Sequence, residues 1–465
     1  MNWWIWLIVC AVIALCYAFD MWKFAVNANM FQLNSYKPEV HKAWLKKNQG
    51  FMFRQTHGKT PLKWTARVKR MLAAYIIVSI PLFWLFPEKL LLIANSACQP
   101  IEKSINLRYK NNALKLLAEA KVNGLKVIGI TGSYGKTSVK FFLASLLSAK
   151  YNVLATPNSF NTPLGVIRTI NEQLRPVHNI FIVEMGARNV GDVKELCDLV
   201  QPDLGVITSI GEAHLEFFGS LENTLSAKFE LADSLPAHGT VFLNWDNDLI
   251  RNRVVNTCRT SRFGVENENA GFNATAIKIN SRGSSFSIGN VRFDTKLIGR
   301  HNVLNLAAAI GVAETLGVSV DRLPQYVARI EPVPHRLQLL GSGERLVIDD
   351  AYNSNPAGSD AALATLSQFK GYVKILITPG MIELGSEQFN ANMLFGQKAA
   401  LIADYAALVG PEQTRPIAAG LHAGGLDSER VRVCTTLKEA LNFADNIEPG
   451  KPRVILLEND LPDNY

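Results

Sequence analysis

The sequence predicts an α/β protein in which a P-loop-type parallel-sheet domain, residues 122–333, and a Rossmann-like C-terminal domain, residues 334–465, follow an α-helical membrane segment within residues 1–100. Three observations predict it. From about residue 122, short β-branched runs alternate with amphipathic segments, the pattern of a parallel sheet covered by helices. Near the start of that alternation the run KVIGITGSYGKTS, Lys126–Ser138, joins a strand to a helix through a glycine-rich turn. Ahead of it, positive charge and indoles gather beside long apolar runs.

The chain's 465 residues are too many for one domain. Its formal charge of +8 is local: residues 20–70 carry eleven Lys or Arg against Asp20 and Glu39, a net of +9, which leaves about −1 for the rest. Seven of the eight tryptophans lie in the first hundred residues. A membrane interface selects cations and indoles beside apolar runs, whereas a nucleic-acid arm would show the charge alone. The bilayer is therefore the expected partner, and nucleic acid is not. Residues 3–19, WWIWLIVCAVIALCYAF, carry no charge and reach about 26 Å as a helix, just enough for a bilayer core. With no basic stretch before them and no small-x-small cleavage site, they read as an anchor rather than a cleaved signal. A second apolar stretch, residues 71–98, is interrupted by Pro81 and Pro87. The basic loop and an ATP-using domain both belong on the cytoplasmic side, so this stretch is expected to enter the membrane and return, turning near Pro87. Residues 101–121 read as a linker. The six cysteines show no C-x-x-C or metal spacing and read as reduced intracellular thiols.

The turn after Ile130 presents backbone N–H groups of Gly132, Ser133 and Gly135 and the start of a helix to an anion. Lys136 supplies a point charge to a nucleotide's β- and γ-phosphates, and Thr137, followed by Ser138, a hydroxyl to Mg²⁺. The usual first glycine of that pattern is replaced by Ile130. Further strands are expected at Ile180–Glu184, Leu204–Ser209, Thr240–Leu243, Leu346–Asp349, Val373–Thr378 and Arg453–Leu457. Ligand chemistry in such sheets gathers at the carboxyl ends of strands. Glu184, ending its strand beside the phosphate loop, is a candidate Mg²⁺ ligand. His214 follows another strand and reads either as a ligand or as a structural histidine. Lys228 lies on the next helix, either functional or an exposed neighbour of Glu230. Asn161 and Thr162 lie in a turn and read either as phosphate or substrate contacts or simply as turn residues; Asn353 and Asn355 lie in another turn.

Taken together, ITGSYGKTSVK, TPNSFNTPLGV, the long segment from VEMGAR to SAKFEL, GRHNVLNLAAAIGVA, PHRLQLL and DDAYNSNPAGSDAAL resemble the Mur ligases, ATP-dependent amide ligases that build the peptide stem of peptidoglycan. The resemblance covers roughly residues 122–385, and EMGAR and AHLEFFGSLEN are similar to the branch that adds D-alanyl-D-alanine to a UDP-linked muramoyl-tripeptide. It implies ATP and Mg²⁺ as cofactors and an acyl-phosphate mechanism. It further implies phosphate and metal roles for Lys136 and Thr137, Mg²⁺ shells containing Glu184 and His214, and a Lys228 able to carry CO₂ as a carbamate. Asn302 and Asn305 correspond to the adenine-contacting segment, and Arg336 to the arginine at the hinge to the last domain. Asp350, Tyr352, Asn353 and Asn355 correspond to the loop that closes over nucleotide and substrate.

The chain departs from the family in two places. Membrane spans and a basic loop stand where a uridine-binding domain is usual, which raises a lipid-linked rather than UDP-linked acceptor. A Lys-Gly-Ser-Arg loop after the last strand is replaced by acidic residues, Glu458 and Asp460, which are expected to favour a cationic second substrate. The function expected is a membrane-tethered, cell-wall amide ligase with cytoplasmic catalytic domains, joining a muramoyl-peptide to a small amine or dipeptide. Two alternatives stay open: a poly-γ-glutamate-type amide ligase and a catalytically idle nucleotide-binding scaffold.

Overall fold

Nearly unbroken β-branched and aliphatic runs such as Val127–Ile130 and Ile180–Val183 cannot face water on either side, so they pair in parallel at the centre of a helix-covered sheet. The computed structural model describes residues 21–34, 36–47, 62–79, 87–157, 160–213, 215–280, 283–352, 354–382 and 384–460. The chain divides into two compact units, of which the larger is Asn112–Asp460.

The larger unit holds two sheets. The strands of the first are β1 Lys126–Thr131, β2 Val153–Ala155, β3 Ile180–Glu184, β4 Leu204–Ile207, β5 Thr240–Asn244, β6 Arg259–Gly264, β7 Phe272–Asn280, β8 Gly283–Ile288 and β9 Val291–Thr295. Their order is β2-β3-β1-β4-β5-β6-β7-β8-β9. Pairing is parallel as far as β7 and antiparallel through β8 and β9. The central strand β1 therefore lies between β3 and β4, so the loops leaving all three open at one edge. Helices Lys136–Leu147 and Arg300–Thr315 cover one face around Phe142, Leu146, Leu306 and Ile310. On the other face Val193, Leu196, Phe229 and Leu231 pack.

The second sheet contains β10 Gln338–Ser342, β11 Arg345–Asp350, β12 Val373–Thr378, β13 Tyr405–Val409, β14 Val431–Cys434 and β15 Arg453–Glu458, in the order β10-β11-β15-β12-β13-β14. Only β10 is antiparallel. Each of the seven strands expected from sequence is present within two residues. Among those not expected, β6, RTSRFG, shows no clean alternation, and β7 to β9 add an antiparallel extension.

The smaller unit is helical: residues 21–33, Pro38–Lys47, Ala66–Ser79 and the first part of Pro87–Val122. Its core gathers Phe24, Phe31, Met71, Tyr75, Leu91 and Ala94. Arg70 and Glu102 form an ion pair at 2.7 Å. The expected anchor at residues 3–19 lies outside the described residues, as do residues 80–86; Pro87, where the turn was expected, begins the helix Pro87–Val122. Among the described residues no helix is long and apolar enough to cross a membrane. Residues 101–121, expected as a linker, are helical within Pro87–Val122, and Ala113 and Leu117 of that stretch are buried.

Candidate functional site

The chain must leave β1 at Thr131 and enter the helix at Lys136 within four residues, and two glycines make this possible. Gly132 has φ +145°, and a Cβ there would lie 2.1 Å from Thr208 Oγ1. Gly135 has φ +80°, and its Cβ would meet Asn305 Oδ1 at 2.6 Å. The loop is pinned from β4's side. Tyr134 N–H donates to Ser209 Oγ at 2.8 Å, while Ser133 Oγ donates to the Gly211 carbonyl at 3.1 Å and accepts its N–H at 3.0 Å. Gly135 offers no side-chain cap, so the first N–H groups of Lys136–Leu147 remain available to an anion. Lys136 Nζ folds over the loop, donating to the carbonyls of Gly132 at 2.6 Å and Ser133 at 3.2 Å. Burial draws its pKa down to about 8, with Glu184 opposing and Arg336 adding to the fall. Thr137 and Ser138 are both buried behind it.

Glu184, at the carboxyl end of β3, is 1 % exposed and is held on three sides. Lys140 Nζ meets Oε2 at 3.0 Å, Asn161 Nδ2 donates to Oε1 at 3.1 Å, and its own N–H donates to Thr156 Oγ1 at 3.1 Å. Burial favours the neutral acid, but Lys140 and Lys136 outweigh it and hold the carboxyl below its ordinary range. Lys228, on helix Leu221–Asp233, is buried rather than exposed, with Nζ 5.2 Å from the Phe218 ring centroid. Burial, reinforced by the charge of Lys136, lowers its pKa to about 7. Asp192 and Glu230 oppose that fall through their charge, but Glu230 makes its hydrogen bonds elsewhere. That carboxylate accepts the N–H groups of Gly191 at 2.5 Å and Lys194 at 2.8 Å, at the start of helix Asp192–Val200. His214 lies outside the described residues. Among those described, no three His, Cys, Asp or Glu side chains cluster as a ready-made metal cage. The donor set nevertheless fits Mg²⁺, which takes one or two protein oxygens and completes its shell with phosphate and water: Glu184 is anionic, and Thr137 carries a hydroxyl beside the phosphate loop.

Arg336 of the second domain reaches this loop. Arg336 Nη2 approaches Thr137 Oγ1 at 3.5 Å, and its guanidinium lies 4.2 Å from the Tyr352 ring centroid. The residues on either side of it, His335 with φ +60° and Leu337 with φ +45°, adopt left-handed backbone. They are held there by the contact of His335 Nδ1 with Asp349 Oδ2 at 2.8 Å and by Leu337 N–H donating to Asp350 Oδ1 at 3.0 Å. Burial raises the Asp350 pKa to about 6.

Other sequence candidates have local work. Asn302 donates to the Ile298 carbonyl at 2.9 Å and is buried. Asn305 stands beside Gly135, at the phosphate loop. Thr162 and Asn355 cap helices Pro163–Gln173 and Pro356–Leu366, accepting N–H groups at 3.4 Å and 2.7 Å. Asn353 lies outside the described residues. Glu458 corrects the expectation of an acidic tail facing the second substrate. It is 1 % exposed and accepts from Ser354 Oγ and, at 3.2 Å, from Thr378 Oγ1; burial pushes its pKa up to about 8, so it is largely neutral near pH 7. Sequence reasoning missed Lys140, although its place four residues after Lys136 puts both on one helix face.

Residues 130–313 match the Mur ligase middle domain and residues 335–457 the Mur ligase glutamate ligase domain. The chain is 32 % identical over 320 residues to the UDP-N-acetylmuramoyl-tripeptide–D-alanyl-D-alanine ligase of Escherichia coli K12, covering 67 % of this chain and 70 % of that one. It is 32 % identical over 279 residues to the Bacillus subtilis 168 enzyme of the same name, spanning 60 % of that relative's length. Among solved structures, MurF from Acinetobacter baumannii superposes with a TM-score of 0.68 at 27 % identity, covering 76 % of this chain and 77 % of that one. MurF from Thermotoga maritima, solved in complex with ADP, gives 0.66 at 26 % identity, covering 76 % and 80 %.

Proposed function

The chain belongs to the Mur ligase family, peptide ligases that use ATP and Mg²⁺, and from that premise we propose that it joins D-alanyl-D-alanine or a related amine to a muramoyl-tripeptide. The names of the Escherichia coli and Bacillus subtilis relatives support this choice of substrates. The observation that carries it is the reach of Arg336 from the second domain to Thr137 on the phosphate loop, which gives one nucleotide site two walls.

In this reading the substrate carboxylate attacks the γ-phosphorus of ATP, forming an acyl phosphate and releasing ADP. The amine then attacks the acyl carbon, loses a proton and expels phosphate. Lys136 leaves the carbonyls of Gly132 and Ser133 to bind the β- and γ-phosphates, while the bare helix N-terminus takes phosphate oxygens on its N–H groups. Arg336 neutralises charge developing on the transferred group, and the Tyr352 face keeps its guanidinium in place. Glu184 and Thr137 would hold Mg²⁺, which when bound screens the phosphate charges. Lys228, with a pKa of about 7, is partly a neutral amine at physiological pH, the form that adds CO₂ to become a carbamate.

The reading extends to the N-terminal part. There we place a bilayer anchor at residues 3–19 and a muramoyl acceptor that is lipid-linked, with the catalytic domains on the cytoplasmic side. Its support is the net charge of +9 over residues 20–70 and the exposure of Trp22 (43 %) and Trp64 (50 %), suited to an anionic interface. A tether concentrates a lipid-linked acceptor and lessens the need to grip its headgroup. The test is phosphate release by the full-length protein in detergent, with D-alanyl-D-alanine and either acceptor. The reading expects product, with the lipid-linked acceptor preferred. Equal use of the UDP-linked acceptor removes the lipid-linked reading, and ATP binding with no product from either removes the ligase reading.

A further inference from the structure

A buried ion pair joins the phosphate-loop helix to the end of β3. We propose that Lys140 is a positioning residue: it fixes the rotamer of Glu184 so that the carboxylate faces a cation bound with nucleotide. The proposal rests on the nucleotide reading of this site.

The geometry has three parts. Lys140 and Glu184 have side chains 0 % and 2 % exposed, with Nζ and Oε2 3.0 Å apart. Asn161 Nδ2 holds the other oxygen at 3.1 Å, so each oxygen has one protein donor and keeps lone-pair capacity for another partner. Lys136 and Lys140 are four residues apart on one helix face. One ammonium is therefore aimed at the phosphate loop and the next at the carboxylate. Turning Glu184 away from Lys140 would break a fully buried ion pair, so the pair resists rotation.

Stability alone is a poor reason for such a pair, because well-packed apolar residues of equal volume often serve a fold as well or better. A carboxylate that must face an ion gains from being oriented in advance, and loss of an outer partner typically costs about 10–100-fold in metal affinity. Asn161, expected from sequence as a substrate contact, is the second half of the same clamp.

The test uses Mn²⁺ as a paramagnetic stand-in for Mg²⁺, its binding to the full-length protein with ADP followed by electron paramagnetic resonance. K140M is expected to weaken Mn²⁺ binding about tenfold or more, with ADP binding in chelator nearly unchanged and K140R recovering part of the loss. N161A is expected to weaken Mn²⁺ in the same direction but less. It leaves no buried charge unpaired, so it carries the test if K140M fails to fold. Wild-type Mn²⁺ affinity in folded K140M, or in N161A should K140M not fold, overturns the proposal. A wild-type protein that binds neither ADP nor Mn²⁺ overturns the nucleotide reading as well, so the two failures are distinguishable.

Discussion

Replacing Glu458 by Gln should stabilise the protein in alkaline buffer. Its carboxyl lies at the end of β15 between the hydroxyls of Ser354 and Thr378. Burial is the largest cause of its high pKa; the hydroxyls pull it down and Asp350 pushes it up, leaving about 8 against an ordinary 4.5. A raised carboxyl pKa means that the folded protein holds a proton the unfolded chain has released. Its contribution is therefore fully present below pH 4.5 and is lost as pH rises through about 8. At about 1.4 kcal/mol per pH unit, the interval amounts to about 4–5 kcal/mol. Glutamine copies the protonated acid, offering one donor and one acceptor to the two hydroxyls. Urea unfolding at a series of pH values checks this. The two proteins should agree within about 1 kcal/mol at pH 5, and E458Q should be the more stable by about 4 kcal/mol at pH 9. Parallel stability curves across that range would refute the reasoning.

Gly132→Ala places a Cβ 2.1 Å from Thr208 Oγ1 at φ +145°, so the nucleotide-dependent rise in Tm should vanish; a rise of wild-type size would show that the loop accommodates the methyl. Arg336→Ala should lower kcat on the order of a hundredfold with a smaller change in ADP affinity, measured by steady-state rates and calorimetry. Lys228 is protonated below about pH 7, so carbamate formation should be strong at pH 8 and weak at pH 6. Carbon-13 NMR under labelled CO₂ reads this directly, and a signal surviving in K228R would assign it to another amine.

Much of the fold was legible because its signals are local. A β-branched run, two glycines and Lys-Thr-Ser within Lys126–Ser138 encode a strand, a turn and a helix start between neighbouring residues. The strands carrying Glu184 and Asp350 were legible for the same reason. By contrast, β6 carries no clean alternation of its own and is stabilised by pairing with its neighbours.

The sequence by itself determined the family, the phosphate loop and the concentration of charge and indoles in the N-terminal part. Tertiary structure decided which side chains meet: Lys140 with Glu184 across 44 residues, Arg336 with Thr137 across 199, and Ser354 with Glu458 across 104. It also decided their chemistry. Lys228 on its helix and Glu458 in its tail look like ordinary exposed charges in the sequence, yet both are buried, and burial moves each toward its neutral form. Desolvation depends on everything packed around a group, and most of those neighbours are distant in sequence.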